Sequence, residues 1–137
     1  MIFNVPGHID MIRNGLNVIK PSSILYHPMP LRIVKTQTRR LNRGIYQVGK
    51  DYAVQRKRGA KGEPDIRIVM DRIWEETTAI YHRENSTIET ITISRKDAWA
   101  EGGYSPMEYE KIFLKLNPKR NRFSRWAFAF HVIEVQK

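Results

Sequence analysis

The sequence predicts an α+β protein: a small mixed or antiparallel β-sheet of five or six strands closing into a partial barrel, with about three short helices. Three observations lead there. The chain has 137 residues, 41% hydrophobic and 28% charged, a globular composition that fits one domain spanning 1–137. Apolar residues alternate through 65–74, 87–93 and 126–135, which is the period of strands. Helical signals are short and do not alternate with strands in the βαβ manner, and neither a G-x-G-x-x-G nor a P-loop motif occurs, so a doubly wound parallel sheet is not expected.

Residues 2–5 fit a short first strand, broken by Pro6 and Gly7. Residues 8–14 suit a helix, with Ile9 and Ile12 on one side and Gly15 just past its end. The stretch 16–30 holds Pro21, Pro28 and Pro30 without any period and reads as a loop. Strand character follows at 35–40 (KTQTRR) and 51–56 (DYAVQR), separated by a loop with Gly44 and Gly49, and a turn is expected at 59–64. In 65–74, Ile66, Ile68, Met70 and Trp74 share a face, 75–86 is polar and reads as a loop, and 87–93 is a further strand. Ser94 caps a helix that runs to about Glu101 and stops at Gly102–Gly103. Ser105, Pro106 and Glu108 start another, whose apolar face is Tyr109, Ile112, Phe113 and Leu116. The strongest strand is 126–135: Trp126, Phe128, Phe130 and Val132 face one way, and Ala127, Ala129, His131, Ile133 and Val135 the other. Both faces are mostly apolar, which predicts a central strand covered on both sides, with His131 in the core or half-buried.

Lys and Arg total 24 against 14 Asp and Glu, a formal net charge of +10 that points to a polyanionic partner. Nine basic residues and one acid occupy 35–61, and Lys119, Arg120, Arg122 and Arg125 form a second cluster. The two basic stretches are expected to converge on one surface, leaving the acids elsewhere. The absence of cysteine excludes disulfides, Cys-ligated zinc, iron–sulfur clusters and a thiolate nucleophile. His8, His27, His82 and His131 lack metal-ligand spacing, so neither metal nor cofactor is expected. No apolar run approaches the roughly 20 residues that span a bilayer. The first residues carry Asn4, His8, Asp10 and Arg13, unlike a signal peptide, so no membrane partner and a cytoplasmic location are expected.

Four features taken in order carry a resemblance: a helix ending in Gly15, Lys-Thr-x-Thr-Arg-Arg at 35–40, Tyr46 and Gly49, and Ile-Ser-x-x-Asp-Ala-x-Ala-Glu-Gly-Gly at 93–103. Together they resemble the ASCH domain family, a PUA-like β-barrel associated with RNA, over roughly residues 8–135. Two departures stand out. Residues 16–34 form an insertion before the KTxT strand, and Lys96 stands where the family often has Glu. Small bacterial members are amidohydrolases of N4-acetylcytidine, acting through the Lys and second Thr of KTxT and the Glu of DAxAE. The resemblance therefore implies a catalytic set of Lys35, Thr38 and Glu101. Other members bind RNA, act as ribonucleases or serve as coactivator-like modules, so the fold leaves the function open.

Amide hydrolysis needs a nucleophile, a base and an acid for the leaving nitrogen. Thr38 can be the nucleophile if a desolvated, neutral Lys35 takes its proton, and Glu101 can protonate the leaving N4 or orient a water. An offset of three puts Lys35 and Thr38 on opposite faces of an ideal strand, so the pair requires Lys35 before the strand or a bulge between them. Arg40 shares the face of Thr38 and can bind a carbonyl oxygen or a phosphate. Taken singly, Lys35 also fits a solvated strand-edge lysine, and Thr38 an ordinary strand residue. The alternative is a non-catalytic RNA-binding module in which Arg39, Arg40, Arg43, Arg56, Lys57 and Arg58 contact phosphates while Tyr46 offers a stacking surface. A ribonuclease using Lys35 and Arg40 on a phosphorane belongs to the same reading. A free nucleoside carries no phosphate, so the net charge favours RNA or an RNA-borne modified nucleoside as partner. Nothing in the sequence bears on the oligomeric state.

Overall fold

The structure is a computed structural model and describes residues 1–16, 33–118 and 123–135. The expected insertion at 16–34 lies almost wholly outside these residues, as do His27, Lys119, Arg120 and Arg122. Along the chain come α1 (His8–Arg13), β1 (Gln37–Arg40), β2 (Asp51–Ala53), β3 (Ile66–Thr77), β4 (Ala79–His82) and β5 (Thr87–Thr90). The helices α2 (Arg95–Gly102) and α3 (Pro106–Leu116) and the strand β6 (Ser124–Glu134) follow. This is an α+β protein, and every strand pairing in its sheets is antiparallel. Four strands form one sheet in the order β1-β6-β3-β2, and β4 and β5 form a separate hairpin. The pairings among the described residues leave β1 and β2 as edges and do not close a barrel.

β6 is central, as its two apolar faces predict. Phe128, Phe130 and Val132 pack with Ile66, Ile68 and Met70 of β3, and with Ile9 and Ile12 of α1, in the main core. Its other face is not uniformly covered. Ala127 is buried, but His131 is exposed and pairs with Asp71 at 2.7 Å, so the histidine expected in the core or half-buried is a surface residue. Asp71 lies at a β-bulge between Met70 and Arg72. The extra residue inverts the alternation beyond it. Ile73 therefore packs on the main core, whereas Trp74, expected in phase with Ile66, sits below the guanidinium of Arg72 at 4.4 Å.

Other expectations shift for identifiable reasons. Of the polar stretch 75–86 only 83–86 is a turn: β3 continues to Thr77, where Glu76 pairs in register with Arg125 of β6, and β4 follows. The expected strand at 2–5 reduces to one parallel bridge between Ile2 and Gln55. Gly15 does not end α1 in a left-handed turn, since residues 15–16 are again helical. A Cβ there would lie 2.8 Å from Val132, so the glycine serves close packing. The helix starts follow their sequence signals. Asp97 N–H donates to Ser94 at 3.1 Å, and Ser105 and Glu108 form a reciprocal capping box.

Helix α2 covers the edge of β1, where Thr36 N–H donates to the Ala100 carbonyl at 2.9 Å and Gln37 reaches Asp97 at 3.1 Å. At the β2 side, the chain start docks along residue 55, Phe3 N–H donating to the Gln55 carbonyl at 2.7 Å. The Ile2 carbonyl in turn accepts from Arg40 of β1.

Ile68 is fully buried and Ile45 is 85% exposed. Ile68→Ala is expected to cost about 2–5 kcal/mol in urea denaturation, and Ile45→Ala about 0.5 kcal/mol at most. Equal losses would contradict this placement of the core.

Candidate functional site

Two short local features build the site. Lys35 lies two residues before β1, in an extended stretch anchored by its N–H to the Met11 carbonyl at 3.1 Å. It is therefore outside the strict alternation of the strand, as pairing with Thr38 requires. Glu101 sits in the last turn of α2, which stops at Gly103 with φ of 76°. A left-handed turn of that kind favours glycine, and a Cβ there would also meet Ile33 at 2.7 Å.

The two segments meet 66 positions apart. Lys35 Nζ donates to the Glu101 main-chain carbonyl at 2.6 Å and to Glu101 Oε1 at 3.0 Å. Lys35 is 2% exposed and Glu101 1%. Burial pulls the Lys35 ammonium below its ordinary pKa; the Glu101 carboxylate opposes this, and Arg40 and Arg39 add to it.

Glu101 Oε2 accepts from Arg39 Nη1 at 2.8 Å. Arg39 also bonds Glu76 at 2.9 Å, and Glu76 accepts from Arg125 at 2.8 Å. Arg125 reaches Glu110 at 2.7 Å. The result is an alternating chain of charge, Lys35–Glu101–Arg39–Glu76–Arg125–Glu110. Burial opposes the charge on Arg39 and Arg125, but their carboxylate partners outweigh it and hold both guanidiniums above their ordinary values. Burial likewise works against the charge on Glu76, and Arg39 and Arg125 overcome it, holding that carboxyl low.

A cavity of about 200 Å³ opens beside this chain. It is smaller than the roughly 300–1,000 Å³ typical of drug-sized sites, so it suits a single ring or a short acyl group. Its polar side includes His8, Lys35, Thr38, Arg39, Arg40 and Glu101. Its apolar side includes Phe3, Val5, Ile112, Phe113 and Leu116. Lys35, Thr38 and Glu101, singled out from the sequence, thus line one cavity. Arg40 joins them from the Thr38 face of β1.

The expected nucleic-acid contacts divide. Arg39 has a fully buried side chain engaged by Glu76, Asp97 and Glu101, so it offers nothing to a phosphate. Tyr46 is not a stacking platform: it packs edge to face on Tyr52 at 4.9 Å and on Phe128 at 5.6 Å. Arg43 is exposed and lies 5.8 Å over the Trp126 ring. Arg56, Lys57 and Arg58 are exposed, with Arg56 paired to Glu63 at 3.2 Å. Of the second basic stretch only Arg125 lies among the described residues, and it is buried. Arg39 and Arg125, one from each stretch, meet through Glu76 in the interior.

Sequence reasoning did not assign His8 or Tyr104 to the site. His8 Nε2 lies 2.7 Å from the Tyr104 hydroxyl, 96 positions away, a separation no local motif signals. Burial, with Lys35 and Arg40 adding, lowers the His8 pKa to about 3, so its imidazole is neutral at neutral pH. Tyr109, named only for its helix face, also lines the cavity, and burial pushes its hydroxyl well above the ordinary value.

No protein-family model, curated protein or solved structure matches this chain. Among the described residues, no group of three or more His, Asp or Glu side chains is placed to hold a metal ion. No helix among them is long and apolar enough to cross a membrane.

The state of His8 makes stability depend on pH. Between pH 6.5 and about 3 the unfolded histidine takes up a proton that the folded one refuses, so stability falls as pH drops through that window. His8→Gln is expected to flatten this part of the profile in thermal unfolding. A variant profile parallel to that of the parent would place the loss elsewhere.

Proposed function

We propose that the cavity binds a modified nucleoside, free or carried on RNA, and hydrolyses the amide of N4-acetylcytidine, in an ASCH-like, PUA-like domain. The observation that carries this reading is the meeting of Lys35, Thr38 and Glu101 in one small cavity, with Lys35 buried and its pKa depressed. In the proposed sequence, Lys35 passes a proton to Glu101 as the ligand enters, and the resulting neutral amine takes the Thr38 hydroxyl proton as Oγ attacks the acetyl carbonyl. Glu101, held by Lys35 and Arg39, gives the proton it received to N4 as the C–N bond breaks and cytidine leaves, which restores the ion pair. Water then cleaves the acetyl-threonine ester, releasing acetate and restoring Thr38. The apolar side of the cavity takes the base, and the polar side takes the acyl carbon.

The reading is tested with N4-acetylcytidine by following the ultraviolet change that marks cytidine. Turnover is expected in the parent, with a loss of roughly 10²-fold or more for Lys35→Ala, Thr38→Ala and Glu101→Gln. No turnover in the parent overturns it, as does activity unchanged in all three variants.

A second reading, an RNA-binding module, is favoured by the exposure of Arg43, Lys50, Arg56, Lys57, Arg58 and Lys61. It does not depend on the cavity. Anisotropy of labelled single-stranded RNA is expected to show affinity falling steeply with salt. Charge reversal at Lys57 and Arg58 reduces that slope. A flat salt response counts against phosphate-driven binding.

A further inference from the structure

Around β1 and β6 three basic side chains are buried, Lys35, Arg39 and Arg125, and a fourth, Arg40, is half-buried. Three of them face carboxylates at close range: Lys35 meets Glu101 at 3.0 Å, Arg39 meets Glu101 at 2.8 Å, and Arg125 meets Glu110 at 2.7 Å. Arg40 differs. Its polar contact is the main-chain carbonyl of Ile2, its guanidinium lies 5.5 Å from the Phe3 ring, and among the described residues it enters no ion pair.

A charge taken out of water without a counter-charge is costly, and a bound anion removes that cost. The neighbours of Arg40 in the cavity cannot supply one. Glu101 is the carboxylate in the lining, and both its oxygens are occupied, Oε1 by Lys35 and Oε2 by Arg39. His8 is uncharged and already in contact with Tyr104. The positive charge of Arg39 is also answered by Glu76 and Asp97, outside the cavity. Lys35 and Glu101 cancel. The excess that faces the cavity is that of Arg40, whose pKa burial depresses against the opposing pull of Tyr46, Glu101 and Tyr109; an anionic ligand would add to that pull. Across from it stand Phe3, Val5, Ile112 and Leu116, which suit an aromatic or aliphatic body.

We infer that Arg40 makes this cavity a receptor for a small organic oxyanion: a carboxylate or phosphate group on an apolar or aromatic body, the anion at the guanidinium and the body against Phe3 and α3. The inference rests on this cavity being the ligand site of the proposed function, and it is independent of the amide chemistry. A guanidinium is suited to it because its planar donors match oxyanions and its charge persists at any physiological pH.

Benzoate and its neutral isostere benzamide make the direct test, titrated into the full ¹⁵N-labelled chain and followed by amide shifts. Benzoate is expected to saturate, with shifts concentrated at residues 35–40, 101 and 112–116, and to bind roughly tenfold or more tighter than benzamide. Arg40→Gln abolishes that preference, Arg40→Lys retains part of it, and Arg83→Gln, on an exposed turn, leaves it unchanged. Since Arg40→Gln also loses the Ile2 contact and can unfold, the benzoate to benzamide ratio and the shift map in the parent decide the matter alone. Competition by inorganic phosphate or by acetate distinguishes the two oxyanions. Equal affinity for benzoate and benzamide, or shifts centred on residues 56–58, overturns the inference. A protein that binds benzoate at Arg40 but leaves N4-acetylcytidine intact keeps this inference and loses the hydrolytic one. Hydrolysis without any anion preference does the reverse.

Discussion

The contact between Lys35 and Glu101 is where the main sheet is joined to the helical half of the protein. Lys35 precedes β1 and Glu101 ends α2, and both are almost completely removed from water. Withdrawing an ammonium and a carboxylate from solvent costs several kcal/mol per ion, recovered only when the geometry is good and the remaining donors and acceptors are used. Here they are used. The lysine bonds both a main-chain and a side-chain oxygen of Glu101, and the second carboxylate oxygen is taken by Arg39. Among the described residues no buried side-chain nitrogen or oxygen lacks a hydrogen-bond partner.

The chain of alternating charges extends this constraint through the fold. Arg39 belongs to β1, Glu76 to β3, Arg125 to β6 and Glu110 to α3, so one connected set of ion pairs ties three neighbouring strands to two helices. Such a network is weak evidence for high stability, because an apolar replacement of similar shape often does as well. What it does supply here is position: any slip of β1 against β6, or of α2 along the edge of β1, leaves a buried charge without its partner. The cavity inherits that rigidity. Thr38 and Arg40 project from the opposite face of β1 to Arg39, the face that β6 fills with Phe128, Phe130 and Val132. The cavity thus lies between an apolar core and an ionic layer.

This arrangement alters what the net charge of +10 means. Arg39 and Arg125 are spent inside the protein, and Arg40 faces a cavity. The basic residues that face solvent from 35–61 are Arg43, Lys50, Arg56, Lys57, Arg58 and Lys61. Charge that holds a fold and charge that meets a polyanion cannot be told apart by counting. Burial of the partners makes the distinction.

Local rules made several elements legible in the residues themselves. Both helix starts at Ser94 and Ser105, the stop at Gly103 and the core face of β6 follow from capping chemistry and alternation, which depend on neighbours a few positions away. The triad of Lys35, Thr38 and Glu101 was legible only as a set of motifs; their meeting was not, because 66 positions separate the two segments and spacing carries no information across that distance. The bulge at Asp71 erased the expected phase of Trp74, and the polar residues 75–77 became strand through pairing with β6. His131 was pushed to the surface while His8 was drawn into the cavity, although both lie in apolar surroundings in the sequence. By itself, then, the sequence determined where turns, caps and apolar faces fall, since those energies are settled within a few residues. Which charges are buried, and which of them face one another or an empty space, was decided by tertiary structure, because the energy of a charge depends on everything packed around it.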